Sequence, residues 1–529
     1  MANAAFKVDK LPFAIAGKSL VEMEQVEGLG KSTAAKVWSL IHENSIPELD
    51  SLTEKTPVGI VEMLQIKGIG PKKIGVIWKD LAIENIGELY YACNENRLIE
   101  AKGFGLKTQE EIIKIIEFRM ASSGRYLYAK VEDFAETLIK QIRKNIKTDF
   151  VSLTGDYRRK CEIIEGLDIL CGTDLSENSV QQIQSAGLTV TKQNADSLET
   201  ENAEGIKVYF NFCTEADFGL ELVQKTGNAE HVNNLKALLG NTDVLGKTET
   251  EIYSLAGIAF VEPELREGTN ELKLAKNNAL PKLITFADLK GSLHNHSTWS
   301  DGVNTLEEMA LYCRDELKLQ YLGICDHSKS AFYAKGLNEI RVAAQQREID
   351  ELNIKLAPFR IFKGIESDIL YDGKLDYSEE VLKTFDFVVA SVHSILKMTE
   401  EKATQRLITA IENPYTTILG HPTGRMLLTR SGYPIDHKKV IDACAANQVV
   451  IEINANPLRL DLDWRWHQYA IEKGVMLSVN PDAHRISGFM DMHYGVLVAR
   501  KGGVSVSNCL NAKNLEEITQ VFNTKKSSV

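Results

Sequence analysis

In the second half of the chain, short apolar runs each end close to a histidine or a carboxylate. The runs read as strands over residues 321–325, 360–363, 387–392, 417–419, 449–453 and 475–479. A polar residue directly after such a run lies at the carboxyl end of a strand, which is where a barrel-like α/β fold gathers its chemistry. This pattern predicts an α/β barrel whose strand ends share one site.

The polar residues at those ends form one set of candidate metal ligands. A single histidine of this kind is more often an ordinary core or surface residue. Here, however, six of the 11 histidines fall at strand ends and three carboxylates accompany them. The set is His294, His296, Asp301, His327, Glu366, His393, His421, Asp482 and His484.

The chemistry of this set favours more than one metal ion. His294 and His296 lie on one face of an extended segment, as do Asp482 and His484, because strand side chains alternate with a period of two. Nitrogen and oxygen ligands without cysteine favour Zn²⁺, Mn²⁺ or Fe²⁺, and the set exceeds what one ion can use. We therefore expect two or three neighbouring ions, which are typical of phosphoester hydrolysis.

These motifs, over residues 288–500, resemble the PHP family, named for polymerase and histidinol phosphatase. His-x-His, Asp-Gly, Asp-His, Gly-Ile-Glu, Val-His, Gly-His-Pro and Asp-Ala-His occur in the family's order. The resemblance implies a distorted (β/α)7 barrel in which the metal ligands carry the catalysis, with no separate protein base assigned. It also implies a first metal held by His294, His296, Glu366 and Asp482, a second by Glu366, His393 and His421, and a third by Asp301, His327 and His484.

Two basic residues near these motifs, Lys363 and Arg425, are candidates to hold a phosphate group. Each is equally well explained as an ordinary surface charge.

Length and composition bound the class of protein. A chain of 529 residues is too long for one core, so two to four domains are expected. The net charge of −12 excludes a chain that is basic throughout, so any nucleic-acid contact must come from local patches. Eight scattered cysteines, no apolar run of membrane length and no basic leader predict a soluble, cytoplasmic protein with no membrane partner.

The first third of the chain repeats a short glycine motif three times, over residues 26–31, 66–73 and 101–107. Each copy has Gly-apolar-Gly followed by the start of a helix. Two glycines allow a positive φ and the close approach of a phosphate, while the helix N-terminus supplies free N–H groups. One copy alone would be as well read as an ordinary turn between helices.

Three copies, two of them flanked by lysines such as Lys67, Lys72 and Lys107, resemble helix-hairpin-helix DNA-binding motifs. Such hairpins hold DNA phosphates without reading sequence. The resemblance implies DNA contacts at Gly28, Gly30, Gly68, Gly70, Lys72, Gly103 and Gly105.

The chain up to the PHP-like region resembles the core of the family X DNA polymerases, and the whole resembles the bacterial and archaeal members that carry a C-terminal PHP domain. The resemblance implies a multidomain α/β and α+β chain. Its domains would be an N-terminal helical DNA-binding domain over 1–90, a fingers-like region over 91–147, a nucleotidyltransferase-like palm over 148–235, a thumb-like domain over 236–283 and the PHP metallohydrolase over 288–525. Residues 1–7 resemble the middle of the family's first domain, so we expect a chain shortened at its start.

The palm-like region departs from the family at its metal carboxylates. The segment 154–162 resembles the family signature that leads into an Asp-x-Asp strand, and Arg159 is kept. Gly166 stands at the first aspartate, so only Asp168 remains, and Tyr209 stands where a third carboxylate is expected. Without paired carboxylates two Mg²⁺ ions cannot be positioned for in-line attack, so nucleotide transfer should be lost or very weak.

The leading expectation is a DNA-repair protein whose PHP domain is a metal-dependent 3′-5′ exonuclease or 3′-end phosphodiesterase. Its polymerase half would bind gapped, nicked or 3′-ended duplex DNA. Mn²⁺ or Zn²⁺ would serve the PHP domain, and Mg²⁺ only an active palm. Three alternatives stay open: an active DNA polymerase with a 3′-5′ exonuclease, a small-molecule phosphatase of the histidinol-phosphate type, and a non-enzymatic DNA-end scaffold.

Overall fold

The computed structural model describes residues 8, 11, 13–26, 28–66, 68–99, 101–121, 124–240 and 245–527. The chain divides into two compact units, Met1–Ile86 and Gly87–Val529, which are described separately. The expectation about residues 1–7 and the flanking residue Lys67 lie outside the described residues.

The first unit is helical. Short helices suit its sequence because the Gly-apolar-Gly turns interrupt it, and the apolar residue between the glycines, Leu29 or Ile69, is buried. The described helices are Leu20–Glu24, Lys31–Glu43, Pro47–Lys55, Val58–Met63 and Pro71–Gly75, with a 3₁₀ turn at Ile15–Gly17 and a π-helical turn at Val76–Asp80.

The second unit opens with helices and a mixed sheet. The helices are Ile86–Asn94, which begins at the boundary, then Leu106–Ala121, Tyr128–Ile146, Gly155–Arg158, Glu177–Gln184, Phe218–Thr226 and Ala229–Leu239. The strands are β1 (Tyr126–Leu127), β2 (Val151–Leu153), β3 (Ile163–Ile164), β4 (Leu167–Gly172), β5 (Thr189–Gln193), β6 (Ser197–Glu201) and β7 (Lys207–Cys213). Five of them form a sheet of order β2-β4-β7-β6-β5, and β1 pairs with β3.

A buried polar network holds the next short helices against this sheet. Glu249 accepts hydrogen bonds from Arg158, at 2.6 Å, and from Arg266. His231 lies between Glu271 and Tyr253 at 2.7 and 2.8 Å. The short helices are Glu249–Leu255, Pro263–Leu265 and Glu271–Lys276.

The rest of the second unit is a parallel barrel. Its strands are β8 (Gly291–Ser292), β9 (Tyr321–Ile324), β10 (Arg360–Asp368), β11 (Phe387–Ser391), β12 (Ile418–Leu419), β13 (Val450–Asn454) and β14 (Leu477–Asn480). They form a seven-stranded sheet in chain order, and a parallel bridge between Asn295 and Ala483 joins its two ends. The α/β barrel predicted from the strand-end pattern is therefore confirmed.

Helices and helical turns connect these strands and cover the barrel. They are Phe286–Asp288, Leu306–Leu311, Tyr312–Glu316, Phe332–Ala334, Glu339–Leu356, Glu379–Leu382, Glu400–Ile411, His437–Asn447, Trp464–Trp466, His467–Glu472, Ile486–Asp491, Met492–Lys501, Val506–Asn508, Leu510–Ala512 and Leu515–Ser527. No helix in the described part of the chain is both long and apolar enough to cross a membrane.

Strand β10 is longer than the sequence pattern indicated. It pairs with β9 over Arg360–Lys363 and with β11 over Gly364–Asp368. Glu366 therefore lies within a strand and not after one. Because side chains alternate along a strand, Asp368 lies on the same face as Glu366.

Candidate metal centre

Glu366 lies in the middle of a cluster of imidazoles at the carboxyl ends of the barrel strands. Its Oε1 is 3.0 Å from His421 Nε2, 3.2 Å from His393 Nε2 and 3.3 Å from His294 Nε2. Its Oε2 is 2.9 Å from His327 Nδ1. One carboxylate is thus shared among imidazoles from four places in the chain.

Two further carboxylates complete the cluster. Asp482 Oδ1 is 3.0 Å from His296 Nε2. Asp301 Oδ1 is 3.3 Å from His484 Nε2, and its Oδ2 is 3.6 Å from His327 Nε2. The structure therefore brings together all nine residues that the sequence pattern singled out.

The backbone at Asp482 is held in an unusual conformation. Its φ is +54°, in the left-handed region that a residue other than glycine rarely adopts. Asn454 Nδ2 and the Tyr91 hydroxyl both donate to Asp482 Oδ2, at 3.1 and 3.0 Å. Such strain persists where the surrounding structure determines the geometry, and it is common at functional sites.

Two carboxylates outside the predicted set orient the imidazoles. Glu452 Oε2 is 2.6 Å from His294 Nδ1, and Asp368 Oδ1 is 2.5 Å from His393 Nδ1. With Nδ1–H donating outward, each ring turns Nε2 toward the cluster. The sequence contains a signal for each of them. Asp368 follows Glu366 by two residues, which places both on one face of a strand, and Glu452 is a charged residue within an apolar strand.

Electrostatics favour ionised carboxylates and at least one neutral imidazole. Burial alone would raise the pKa of Glu366, but the neighbouring His393 and His294 hold it well below its ordinary value. Burial likewise opposes ionisation of Asp301, yet His484 lowers its pKa well below the ordinary range. Burial, reinforced by adjacent imidazoles, lowers the pKa of His296 to about 3.

These residues fit divalent metal ions. Imidazole and carboxylate atoms at the centre are buried without hydrogen-bond partners among the described residues, including both ring nitrogens of His296 and of His327 and Oε2 of Glu366. Buried polar atoms of this kind require a ligand to compensate for their desolvation. The atoms that converge closely enough to hold an ion fall into the groups His296, Asp301, His327 and His484; His294, His296 and Asp482; His327, Glu366 and His393; and Glu95, Asp482 and His484.

These groups differ in three ways from the three metal sets implied by the PHP resemblance. Glu95 is added, His421 falls in none of the groups, and four residues are each shared between two groups, namely His296, His327, Asp482 and His484. Glu95 belongs to the region before the mixed sheet, far from the barrel in sequence. No sequence signal marks it, because its role depends on which surfaces meet in the fold.

The two candidate phosphate-binding residues each pair with a carboxylate, and one of them lies away from the metal centre. Lys363 Nζ pairs with Asp350 at 2.6 Å, on the helix Glu339–Leu356 that covers the barrel, because its side chain leaves the strand on the outer face. Arg425 pairs with Asp463 at 2.5 Å and contacts Glu162 at 3.4 Å. The Lys363 interpretation is wrong for this site.

The glycine hairpins have the geometry that phosphate contact requires. Gly28, Gly68 and Gly103 have φ of +90°, +90° and +88°. Gly30 and Gly70 directly precede helices, as Gly105 does, and Lys72 lies in the first turn after Gly70. A Cβ at Gly68, Gly70, Gly103 or Gly105 would meet no atom within 4 Å, so these backbones are open to a ligand.

The palm-like sheet lacks a carboxylate cluster at its expected position. Asp168 on β4 is paired in register with Tyr209 on β7. A Cβ at Gly166 would lie 2.9 Å from Tyr209 Cε2, so the tyrosine ring occupies the space of a larger residue there. None of the possible metal-binding groups among the described residues includes Asp168.

Neighbouring charges in the palm-like region are engaged in internal pairs. Burial, with Asp156 nearby, raises the pKa of Asp168 to about 6. Arg159 pairs with Asp156 and, at 3.0 Å, with Glu267. Glu162, near the end of the palm-like signature segment, accepts a hydrogen bond from Trp464 Nε1 of the barrel at 3.2 Å.

Comparisons with known proteins agree with this architecture. A family model described as a SAM-like helix-hairpin-helix tandem matches residues 60–117, which include the second and third hairpins. The DNA polymerase/3′-5′ exonuclease PolX of Bacillus subtilis is 33% identical over 529 residues, covering 95% of this chain and 91% of that protein. A probable phosphatase of Acetivibrio thermocellus is 31% identical over 203 residues, covering 36% of this chain and 78% of that protein.

Proposed function

The chain belongs to the PolX family of DNA polymerase/3′-5′ exonucleases, and from this premise we propose that it hydrolyses DNA from the 3′ end at the barrel's metal centre while its palm-like sheet no longer transfers nucleotides. One contrast carries the proposal. The barrel brings together nine candidate ligands, including Glu366 at their centre, whereas the palm-like sheet retains Asp168 alone, beside Tyr209.

The cluster has the donor set for Mn²⁺ or Zn²⁺, which when bound would polarise the phosphodiester and activate the attacking water. The residues of the chain fix the geometry of that site. Glu452 and Asp368 set the tautomers of His294 and His393, so that Nε2 of each ring is available. The His294 and His296 side chains are fully buried, which keeps bulk water away.

The hairpins support DNA as the substrate. Their positive-φ glycines and open backbone suit phosphate contacts that are independent of sequence. We propose contacts at the seven hairpin residues named above and a gapped, nicked or 3′-ended duplex as the ligand. We also propose the residue ranges of the five domains and the cytoplasmic location that were expected from the sequence.

Two other functions each have an observation in their favour. The Bacillus relative is named a polymerase as well as an exonuclease, which favours a palm rescued by a carboxylate that the sequence pattern does not reveal. Relatives named probable phosphatases match only part of this chain, 36% of it in one case and 25% in another, which favours a small phosphomonoester as the substrate of that part.

Substrate class can be tested with one preparation of the full chain. A 5′-labelled strand with a free 3′ end and histidinol phosphate are offered separately, with Mn²⁺ or with Zn²⁺. We expect stepwise shortening of the DNA strand and little release of phosphate from histidinol phosphate. Glu366→Gln should abolish the DNA shortening and any phosphate release. Turnover of the phosphomonoester without shortening of DNA would favour the phosphatase.

A further inference from the structure

Residues 88–97, which we call the cover segment, lie across the mouth of the barrel. The Tyr91 hydroxyl donates to Asp482 Oδ2 at 3.0 Å. Glu95 Oε1 is 3.9 Å from His484 Nδ1. Arg97 Nε is 3.4 Å from Asp301 Oδ2. The segment thus reaches three of the candidate metal ligands directly.

The cover segment closes the metal centre to solvent. Tyr91 and Glu95 are 5% and 3% exposed, and Asp482 and His484 beneath them are each 5% exposed. A phosphodiester must approach the ligands closely to react there. A DNA end therefore cannot reach the centre while the segment stays in this position.

Three arginines around the mouth bind the cover segment. Arg430 Nη1 donates to Glu88 Oε1 at 2.5 Å. Arg485 donates to the carbonyl oxygen of Asn94. The Arg459 guanidinium lies 4.2 Å from the centroid of the Tyr91 ring. We call Arg430, Arg459 and Arg485 the rim arginines.

The rim arginines have capacity for further acceptors, and more basic residues adjoin them. Arg459 is 5% exposed, and its Nε is buried without a hydrogen-bond partner among the described residues. A groove beside Arg430 is lined by Arg125, Arg425 and the loop 426–432. A strand leaving the mouth along this groove would pass a row of guanidinium groups.

We propose that the rim arginines form the phosphate-binding site of the metal centre and that the cover segment occupies this site in place of a DNA strand. Glu88 and the carbonyl of Asn94 present oxygens to arginines, as phosphates do. Guanidinium groups bind phosphate oxygens through paired hydrogen bonds, which suits a phosphodiester backbone. The proposal rests on the nuclease function proposed above, and it requires the segment to leave when DNA enters.

The test separates the two roles of Arg430. Glu88→Gln weakens the cover segment but leaves the rim intact, whereas Arg430→Gln weakens both. Glu111→Gln is the matched control, because Glu111 is an exposed residue on the neighbouring helix Leu106–Ala121. Each full-length protein is loaded with Mn²⁺ and mixed with a fluorescent tetrathymidylate whose linkages are phosphorothioates, since a short strand limits the contribution of the hairpins.

Two readouts are independent of hydrolysis: anisotropy of the strand, and hydrogen–deuterium exchange of peptides covering residues 87–97. One charge-assisted contact corresponds to about a tenfold change in an equilibrium constant. Both variants should speed exchange of the segment about tenfold. Glu88→Gln should tighten strand binding relative to the wild type, because it weakens only the competing cover segment. Arg430→Gln should bind the strand about tenfold more weakly than Glu88→Gln, because it also loses a rim contact, and saturating strand should speed exchange in the wild type.

Two results would overturn the proposal. One is that binding of the strand leaves the hydrogen–deuterium exchange of residues 87–97 unchanged or slows it. The other is that Glu88→Gln and Arg430→Gln bind the strand with equal affinity. Hydrolysis of an unmodified strand is measured alongside. Displacement of the segment without any hydrolysis would refute the nuclease function but support the rim site. Hydrolysis without displacement of the segment would support the nuclease function but refute the rim site.

Discussion

At the scale of single residues, Glu452 organises the metal centre without belonging to the predicted ligand set. Its Oε2 accepts from His294 and, at 3.0 Å, from Asn480 Nδ2. Its Oε1 accepts from Asn454 Nδ2 at 3.0 Å and from the backbone of His421 at 3.2 Å. One carboxylate therefore fixes the orientation of one imidazole and the position of another.

Replacing Glu452 with glutamine should weaken metal binding while preserving the fold. The glutamine amide nitrogen cannot accept hydrogen bonds, so it would face donor groups that the carboxylate oxygen now accepts from. Loss of such a supporting partner typically costs about 10- to 100-fold in metal affinity. Mn²⁺ retained after dialysis measures the effect, with circular dichroism as a check on folding. Glu351→Gln, at an exposed position, should retain metal as the wild type does; equal retention by Glu452→Gln would contradict the role.

Asp168 offers a second test at the residue scale. Because burial raises its pKa from 3.8 to about 6, folding favours the protonated form, and the palm-like sheet loses stability as the pH rises through that interval. Asp168→Asn cannot ionise. It should therefore stabilise the sheet at pH 8 by about 3 kcal/mol, a gain that fades as the pH falls toward 4.

Hydrogen–deuterium exchange of the strand Lys207–Cys213 measures this gain, as roughly 100-fold slower exchange than the wild type at pH 8. Asp149→Asn, at an exposed position, is the control. Faster exchange in Asp168→Asn, together with loss of Mg²⁺ binding, would mean that Asp168 serves a working polymerase site.

At the scale of elements, each hairpin combines a positive-φ glycine with a second glycine at the start of a helix. In the second copy, Gly68 has a φ of +90° and Gly70 has a φ of −95°. A side chain at Gly68 would be strained, but one at Gly70 would be tolerated by the backbone. Gly70 therefore allows phosphate contact to be changed separately from the fold.

Gly70→Ala should weaken binding to duplex DNA several-fold, because its methyl group would occupy open space that a phosphate would otherwise enter. The free energy of unfolding should change by less than about 1 kcal/mol. Anisotropy with a labelled duplex measures the affinity. Gly17→Ala, which also meets open space but lies outside the hairpins, should bind DNA normally; unchanged affinity in Gly70→Ala would remove this hairpin from the DNA interface.

Elements differ in how far the sequence predicts them. The barrel strands could be predicted because each apolar run is short and is followed by a polar residue. The length of β10 could not, since it depends on pairing with β9 and β11 in succession. The candidate metal ligands were predictable from their position at strand ends and their residue type. Tyr91, Glu95 and Arg97 were not, because they reach the metal centre through a tertiary contact that no repeating pattern in the sequence indicates.

At the scale of the whole molecule, the second unit joins a palm-like sheet to a metal-binding barrel. Contacts such as Arg425 with Glu162, at 3.4 Å, and Lys501 Nζ with the backbone oxygen of Arg159, at 3.0 Å, connect the two parts. In the proposed division of labour the palm-like part holds DNA and the barrel cleaves it. We therefore expect this molecule to shorten a primer end but not to extend it.

The most direct test uses a 5′-labelled primer annealed to a longer template, incubated with the full chain and Mn²⁺, with and without deoxynucleotides. We expect stepwise shortening in both conditions, abolished by Asp482→Ala in a protein that retains its circular dichroism. Lengthening with deoxynucleotides that persists in Asp482→Ala and disappears in Asp168→Ala would contradict it, because the palm-like sheet would then be an active polymerase.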